Sequence, residues 1–234
     1  MSVDDDNLPI ALVIPTWNEA RRIGACLAGV RGLGFSEIIV SDGGSTDATR
    51  AIAAAIHGVT CITANRGRGS QLRAGLAATS APVVLMLHAD TVLPENAVAV
   101  VRMALADRAV VGGCFRLKFD DSRRSLRLFA WFSRFDTVFT SFGDQAIFAR
   151  RDVLGENDVP DMPLLEDVAI RSHLRRRGRF IKMPAVVTTA ARRFAHRGIW
   201  RCQILNGVIL AGYFFGVSPA RLATLYGSTN RPDS

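Results

Sequence analysis

Apolar and polar blocks alternate along the first hundred residues of the chain. Short apolar runs predict strands at residues 10–14, 37–40, 59–63 and 82–87. The run at 82–87 is apolar almost without interruption, which is typical of a central strand buried on both faces. Between the strands, the pattern predicts helices from Asn18 to about Val30, from Ser45 or Thr46 to about Ile56, and over residues 68–79. This alternation predicts an α/β fold, with a Rossmann-like, mostly parallel central sheet and helices on both faces.

The two first helices have clear start signals, and the first strand has a stop signal. Pro15 is expected to end the first strand, and Asn18 is expected to cap the helix that follows. Ser45 or Thr46 is expected to cap the second helix.

After Pro94 the alternation is less regular. Strands are predicted at residues 110–119, with an irregularity at Gly112 and Gly113, and at 146–149, 180–183 and 186–189. Helices are predicted at 96–106, 122–139, 165–177, 200–215 and 219–226. Since the sequence has no internal repeat, low-complexity block or linker, we interpret it as a single domain over residues 1–234.

Charge and cysteine content limit the classes of partner. The formal net charge is +8 and is carried almost entirely by arginine, which fits a polyanionic substrate, an anionic membrane surface or nucleic acid. No nucleic-acid-binding motif occurs, so nucleic acid is not an expected partner. The four cysteines are widely spaced and predict buried free thiols rather than a zinc site or a disulfide framework.

The sequence predicts a cytoplasmic location. The N-terminus lacks the pattern of a signal peptide. The longest strongly apolar stretch, residues 204–217, is shorter than the roughly 20 residues that a membrane-spanning helix needs. Peripheral contact with the inner face of the membrane stays open.

Polar segments follow all four N-terminal strands. They read Pro-Thr-Trp-Asn-Glu at 15–19, Asp-Gly-Gly-Ser-Thr-Asp at 42–47, Asn-Arg-Gly-Arg-Gly-Ser-Gln at 65–71 and His-Ala-Asp-Thr at 88–91. Any one of them is accounted for by turns and helix caps. Because ligands of parallel sheets bind outside the carboxyl ends of the strands, the four together predict a nucleotide site.

Two common ways of binding phosphate are absent from the sequence. The first turn contains no GxGxxG, which argues against a dinucleotide dehydrogenase, and no GxxxxGK[ST] occurs. The pyrophosphate of a nucleotide must therefore be held in another way. A divalent metal on a carboxylate at the end of the fourth strand, helped by arginine, meets that need.

These segments, in this order, resemble those of family-2 glycosyltransferases of the GT-A fold. Residues 143–148 (Gly-Asp-Gln-Ala-Ile-Phe) and 164–168 (Leu-Leu-Glu-Asp-Val) also match. The Gly-Asp-Gln segment and residues 191–194 (Ala-Arg-Arg-Phe) look most like a small bacterial subgroup linked to arsenosugar biosynthesis. The resemblance implies a nucleotide-sugar-binding half at about 9–106 and an acceptor-side half with C-terminal helices at about 107–234.

The resemblance also implies roles for individual residues in transferring a sugar from a nucleotide-sugar, usually a UDP-sugar, to a hydroxyl acceptor. Asp42 would bond the base, Gly67 and Arg68 would lie near the ribose and phosphates, and Asp90 would hold Mg²⁺ or Mn²⁺. The implied nucleotide-binding set is Pro15, Thr16, Trp17, Glu19, Asp42, Gly44, Ser45, Asn65, Gly67, Arg68, His88 and Ala89.

The chain departs from the family pattern at the fourth strand. The family motif is Asp-x-Asp, and here His88 takes the first position, so only Asp90 matches. His88 either contacts the nucleotide or fills space. His196 is a further candidate metal ligand, although a lone histidine near arginines is more often structural.

Chemistry and acceptor binding are implied for the second half. Asp167, the second acid of the family's Glu-Asp motif, would be the general base of an inverting transfer, and Glu166 is the alternative. A simpler explanation for both acids is that they stabilise the N-terminus of a helix. Residues facing the donor sugar or acceptor would be Gly143, Asp144, Gln145, Arg192 and Arg193. The Gln-x-x-Arg-Trp motif of processive synthases is absent, which favours single transfers.

Two surfaces and two rival functions stay open. The predicted helix at 122–139 is basic and amphipathic, so it fits an anionic membrane, a phosphorylated acceptor, or simple packing with a solvated face. The helix at 200–215 fits core packing, a homodimer interface or lipid contact. The rivals are a sugar nucleotidyltransferase and a non-catalytic nucleotide-binding regulator of the same fold.

Overall fold

One sheet organises the described chain. The computed structural model describes residues 7–135, 145–191 and 198–229, without the side chains of 199–200 and 227–229. The strands are β1 Ile10–Thr16, β2 Glu37–Asp42, β3 Val59–Thr63, β4 Val83–Met86, β5 Thr91–Val92, β6 Val110–Phe119, β7 Ile147–Arg150 and β8 Arg179–Thr189. The helices are α1 Ile23–Val30, α2 Thr49–Ala54, α3 Arg68–Ala77, α4 Ala97–Leu105, α5 Arg124–Phe132, α6 Glu166–Arg177, α7 Ile199–Phe214 and α8 Pro219–Thr229. None of these helices is both long enough and apolar enough to cross a bilayer.

The strand order is β3-β2-β1-β4-β7-β6-β8-β5. Strands β3, β2, β1 and β4 pair in parallel, β7 runs antiparallel to β4 and β6, β8 is parallel to β6, and β5 is antiparallel to β8. It follows that the carboxyl ends of β1, β2, β3, β4, β6 and β8 all lie at one edge of the sheet. The predicted mixed α/β fold with a mostly parallel sheet is confirmed.

Each face of the sheet carries its own apolar cluster, because neighbouring residues of a strand point to opposite faces. In β1, Ile10, Leu12 and Ile14 pack with α1 and α4, whereas Ala11 and Val13 pack with α3 and α6. All five side chains are fully buried. Helices therefore cover both faces, and the described polar strand ends are left at the edge.

The structure corrects the predicted end of β1. Pro15 lies inside the strand and pairs with Ser41. The carbonyl of Val13 accepts from Leu87 N on the β4 side, so Pro15, two residues on, also turns its nitrogen towards β4. The paired residues of β1 and β4 end at Val13 and Met86, so the missing N–H of Pro15 interrupts no ladder bond.

The two predicted N-caps are also wrong. Helix α1 begins at Ile23 and α2 at Thr49, and neither has a hydrogen bond from an N-cap side chain. Asn18 and Ser45 instead bond across to each other's loop, as described below. Tertiary contacts have replaced the local capping that these residue types favour.

Other differences are smaller. Residues 180–183 and 186–189 belong to the single strand β8, whose pairing with β6 shifts register beside Gly112, as predicted, and again between Cys114 and Arg116. Helix α5 ends at Phe132, and residues 136–139 of the predicted helix lie outside the described residues. The four cysteines are free thiols, as predicted, although Cys61 is only partly buried.

Candidate active site

The four predicted polar segments meet at the carboxyl edge of the sheet. Thr16, the last residue of β1, pairs with Asp42, the last residue of β2, and Asp42 pairs with Thr63, the last residue of β3. Strand β4 lies on the other side of β1 and leads into His88 and Asp90. The four segments, 15–19, 42–47, 65–71 and 88–91, are far apart in the sequence but lie together along this edge of the sheet. We call them the nucleotide rim, after their predicted role.

Asp42 organises the turn after β2. Its side chain is fully buried; Oδ2 accepts from the backbone N–H groups of Gly44 (3.0 Å) and Ser45 (2.8 Å), and Oδ1 accepts from the hydroxyls of Ser45 (2.5 Å) and Thr16 (3.3 Å). The carboxylate thus holds the turn that would meet the nucleoside. A direct contact between Asp42 and a base stays a prediction.

The loops after β1 and β2 brace each other. Asn18 N donates to Ser45 Oγ (2.9 Å), and Thr46 N donates to Asn18 Oδ1 (2.9 Å). Ala20 N donates to Asp47 Oδ2 at 3.1 Å. Asn18 adopts φ +54°, a left-handed conformation that asparagine tolerates better than most residues. These bonds hold the loop after β1 against the loop after β2.

Gln71 is a structural residue of the site to which the sequence assigned no role. It is buried on α3, and its Nε2 donates to the carbonyls of Thr16 (2.5 Å) and Ser41 (3.0 Å). A Cβ on Gly43 would lie 3.0 Å from that same Nε2, so a side chain there would crowd the amide. The only available signal was an amide residue one turn into a helix that starts at the rim.

Trp17 and Arg66 form an exposed side of the rim. The guanidinium carbon of Arg66 lies 3.6 Å from the centroid of the Trp17 ring, which is a cation–π contact, and Trp17 is 40% exposed. Arg66 lies between the predicted nucleotide-binding residues Asn65 and Gly67. Gly67 has φ +133°, which few other residues adopt, and precedes the first turn of α3.

Arg68 links the nucleotide rim to the predicted catalytic acids. It begins α3, and its Nη1 lies 3.9 Å from Oε1 of Glu166, a long ion pair whose acid is almost fully buried. Burial raises the pKa of Glu166, and the charge of Arg68 opposes that rise. Burial likewise raises the pKa of Glu19, and the charges of Arg22 and, to a smaller extent, Arg68 oppose that rise.

Asp90 is half-buried and lies between the end of β4 and the start of β5. Its carbonyl accepts from Ala190 N (3.3 Å), and Thr91, the next residue, pairs with Thr189 of β8. Burial raises the pKa of Glu19, and the nearby charge of Asp90 adds to that rise. Burial also raises the pKa of Cys26 to about 12, with further contributions from Asp90 and then Glu19. Glu19 itself forms an ion pair with Arg22, three residues along the chain.

The donor set fits a metal that takes most of its ligands from substrate and water. Among residues 7–135, 145–191 and 198–229, no group of three or more His, Cys, Asp or Glu side chains is arranged to hold a metal ion. Mg²⁺ and similar ions commonly bind through one or two carboxylates together with substrate phosphates and waters. Asp90, which is half-buried at the sheet edge, supplies one such carboxylate.

The predicted acids Glu166 and Asp167 begin α6 in different environments. Glu166 is 3% exposed, whereas Asp167 is partly exposed. Both line a small pocket with His88, Leu72, Met86, Ile147 and Ile170. Their neighbour Leu165 adopts φ +67°, a strained conformation for leucine. Of the two acids, Asp167 is the one that an acceptor can approach.

Gln145 lies in the interior beside a buried arginine. It is fully buried, and its Oε1 accepts from Arg171 Nη2 (2.8 Å) and Cys114 Sγ (3.4 Å). Within the described residues, Nε and Nη1 of Arg171 have no hydrogen-bond partner. Gln145 thus anchors Arg171, and its contact with a sugar stays a prediction. Gly143, Asp144, Arg192, Arg193 and His196 lie outside the described residues.

A tight contact joins the first turn of α3 to the segment that leads into α6. Ser70 Oγ donates to Asp161 Oδ1 (2.5 Å). A Cβ on Gly69 would lie 2.2 Å from the carbonyl oxygen of Pro160 and 3.0 Å from Met162 N. The nucleotide rim and the acids of α6 are therefore positioned by direct backbone packing.

Comparisons with known proteins place the chain in a family. Residues 11–152 match the model of glycosyl transferase family 2. The glycosyltransferase AglJ of Haloferax volcanii is 35% identical over 82 residues, which cover 35% of this chain and 27% of AglJ. The chain thus spans about a quarter of the length of this curated relative.

Solved structures show the same fold. S. aureus TarS (residues 1–349) in complex with UDP-GlcNAc is similar with a TM-score of 0.63 and 16% identity, over 78% of this chain and 58% of that one. Glucosyl-3-phosphoglycerate synthase from Mycobacterium tuberculosis, in complex with Mn²⁺, UDP-glucose and phosphoglyceric acid, has a TM-score of 0.57 and 21% identity, over 78% and 70%. With the family model matching more than half of its residues, the chain belongs to glycosyl transferase family 2.

Proposed function

We propose that the protein is an inverting glycosyltransferase that moves a sugar from a UDP-sugar to a hydroxyl group of an acceptor. The proposal rests on one observation. The nucleotide rim, the carboxylate of Asp90 and the two acids at the start of α6 all lie at the same edge of the sheet. The residues 9–106 would bind the donor, and the residues 107–234 would bind the acceptor. Crystals of the two structural neighbours with UDP-sugars support the choice of donor.

The nucleoside would lie across the ends of β1 and β2. The bonds from Gly44 and Ser45 to Asp42 hold the turn against which the nucleoside would lie, and the exposed Trp17 offers an aromatic surface. Pro15, Glu19, Asn65, Gly67 and Ala89 complete the proposed set.

The diphosphate would lie between Arg68 and Asp90. The guanidinium of Arg68, half exposed at the start of α3, can pair with phosphate oxygens. Asp90 would hold a divalent ion, which when bound supplies Lewis-acid stabilisation of the charge on the leaving UDP. His88, beside the acids in the small pocket, would fill the space between the diphosphate and α6.

Asp167 would be the general base. It accepts the proton of the acceptor hydroxyl as that oxygen attacks the anomeric carbon, while the bond from this carbon to the UDP oxygen breaks and UDP leaves with the electron pair. A single displacement of this kind inverts the anomeric configuration. Buried Glu166 would hold Arg68 and the start of α6 rather than take the proton.

The donor sugar, the acceptor and membership of the arsenosugar-linked subgroup stay predictions. We would screen UDP- and GDP-sugars for donor hydrolysis with Mn²⁺, and determine the anomeric configuration of the released or transferred sugar by proton NMR. Release of a sugar from a UDP-sugar with inversion is expected. Retention of configuration would contradict the single displacement, and nucleotide binding without any turnover would favour the regulatory alternative.

The base is tested by Asp167→Asn. The variant is expected to lose transfer by a factor of at least about 10² while it binds UDP as the wild type does, because only proton removal is affected. Asp152→Asn is the matched control, because it removes the charge of an exposed carboxylate that does not line the pocket. Full activity of Asp167→Asn would remove Asp167 from this role.

A further inference from the structure

Helix α5 is fixed to the sheet by its inner face. Leu126 is fully buried, and Ser133 Oγ donates to the carbonyl of Leu117 and accepts from its N–H (3.1 Å). Lys182 Nζ, from β8, donates to the carbonyls of Ser133 (2.6 Å) and Phe135 (2.9 Å), at the C-terminal end of the helix. The opposite face of α5, its outer face, therefore points away from the sheet.

That outer face carries large apolar side chains. Leu128, Trp131 and Phe132 follow the spacing i, i+3, i+4 of one face of α5, and Phe135 lies in the turn directly after the helix; we call these four residues the outer stripe. Their exposed fractions are 52%, 48%, 42% and 44%. The ring of Trp131 packs edge-to-face on Phe132 (5.1 Å) and Phe135 (5.2 Å), so the rings cluster at the surface. Clustered exposed apolar side chains of this kind mark interaction surfaces.

Exposed arginines lie on α5 and on the residues directly before and after it. They are Arg123, Arg124, Arg127 and Arg134, and all four are exposed. Arg134 lies 5.2 Å from the centroid of the Trp131 ring, and Arg123 pairs with Asp121 at 2.8 Å. The chain as a whole carries a formal charge of +8. A partner of this face must therefore have both an apolar region for the aromatic rings and negative charge for the arginines.

We propose that the outer stripe docks the protein on an anionic lipid surface. Aromatic rings sit favourably at the level of lipid headgroups, and these arginines pair with anionic headgroups. A second copy of the chain is the less suitable partner, because a two-fold contact through this face would bring the same arginines together from both copies. The proposal goes beyond sugar transfer and does not depend on it.

The test is sedimentation of the full chain with vesicles of phosphatidylcholine, with and without phosphatidylglycerol. The wild type is expected to bind the vesicles that contain phosphatidylglycerol and to bind pure phosphatidylcholine at least about tenfold less. The double variant Trp131→Ser/Phe132→Ser is expected to lose about tenfold or more of the remaining affinity, since each ring buries its exposed half in the headgroup layer. Replacing Arg124 and Arg127 by Gln is expected to cost about fivefold per residue.

Matched controls separate this surface from general effects. Met103→Ser removes an apolar side chain of α4 that is more exposed than either ring, and Arg31→Gln with Arg108→Gln removes the same charge from exposed positions elsewhere. All three control changes are expected to leave vesicle binding within about twofold of the wild type, and all variants should bind UDP alike.

Three results would overturn the proposal. They are wild-type binding to neither vesicle, binding that the outer-stripe variant and Met103→Ser weaken equally, and a concentration-dependent dimer in sedimentation equilibrium that Trp131→Ser/Phe132→Ser abolishes while vesicle binding persists.

Discussion

Gly69→Ala tests how closely the nucleotide rim and the α6 acids are coupled. The added Cβ would stand 2.2 Å from the carbonyl oxygen of Pro160 and 3.0 Å from Met162 N. Both contacts are backbone atoms, so no side chain can turn away, and α3 must separate from the 160–162 turn. Bringing the first distance up to 3.0 Å requires a movement of about 0.8 Å.

The cost of this movement can be worked out from two opposing effects. Overpacking in a close contact costs about 1–3 kcal/mol, and movement also stretches the hydrogen bond from Ser70 to Asp161. Replacing glycine by alanine in a helix returns up to about 1 kcal/mol. We expect a net loss of about 1–2 kcal/mol in the free energy of unfolding. Because misplacement of catalytic groups by 1 Å can cost about 10²-fold, the transfer rate should fall by 10-fold to 10²-fold.

Urea unfolding and steady-state transfer kinetics measure the two effects. Gly29→Ala is the matched control, since a Cβ there meets no atom within 4 Å, and it should be as stable as the wild type or up to about 1 kcal/mol more stable, with unchanged activity. If Gly69→Ala matched Gly29→Ala in both measurements, the contact between α3 and the 160–162 turn would not position the site.

Three further predictions concern single groups. Gln71→Met should lower the free energy of unfolding by about 1–3 kcal/mol in urea titrations and should also weaken UDP binding, because the carbonyls of Thr16 and Ser41 lose a buried donor. Unchanged values of both quantities would show that water replaces the amide. Glu166, whose pKa burial raises above 4.5, stabilises the fold while protonated and loses that contribution as pH rises through its folded-state pKa. The unfolding free energy of Glu166→Gln minus that of the wild type should therefore increase as the pH rises above 4.5, and a flat difference would contradict the raised pKa. Asp90→Asn should remove most of the gain in UDP affinity that Mn²⁺ gives in calorimetry, and an undiminished gain would place the metal on other residues.

Sequence periodicity predicted most of the architecture because burial dictates it. The run at 82–87 is apolar throughout, and β4 is buried on both faces. The predicted strand at 110–119 matches β6 to the residue, and the two glycines mark its irregular pairing. Such patterns record the two faces of a buried strand directly.

Local rules failed where distant parts of the chain meet. Asn18 and Ser45 are favourable N-cap residues, yet each bonds to the other's loop, 27 residues away. Pro15 ends many strands, but here its nitrogen faces a gap in the ladder. Strand register and contacts between loops depend on which strands become neighbours, and a short stretch of sequence does not determine this.

The candidate site was predicted as a set of residues but not as a set of contacts. The sequence placed Asp42, Asp90 and Asp167 together by motif order. It could not show that Asp42 is enclosed by its own turn, that Glu166 is buried beside Arg68, or that Gln71 joins two strands. Those facts arise from the packing of α3 and α6 on the sheet edge.

Nucleotide binding is the central claim, and one calorimetric series tests it most directly. UDP, GDP and NAD are titrated into the wild-type protein, with and without Mn²⁺. Tightest binding of UDP, strengthened by Mn²⁺, is the predicted result. Tightest binding of NAD, or no binding of UDP under either condition, would contradict the account.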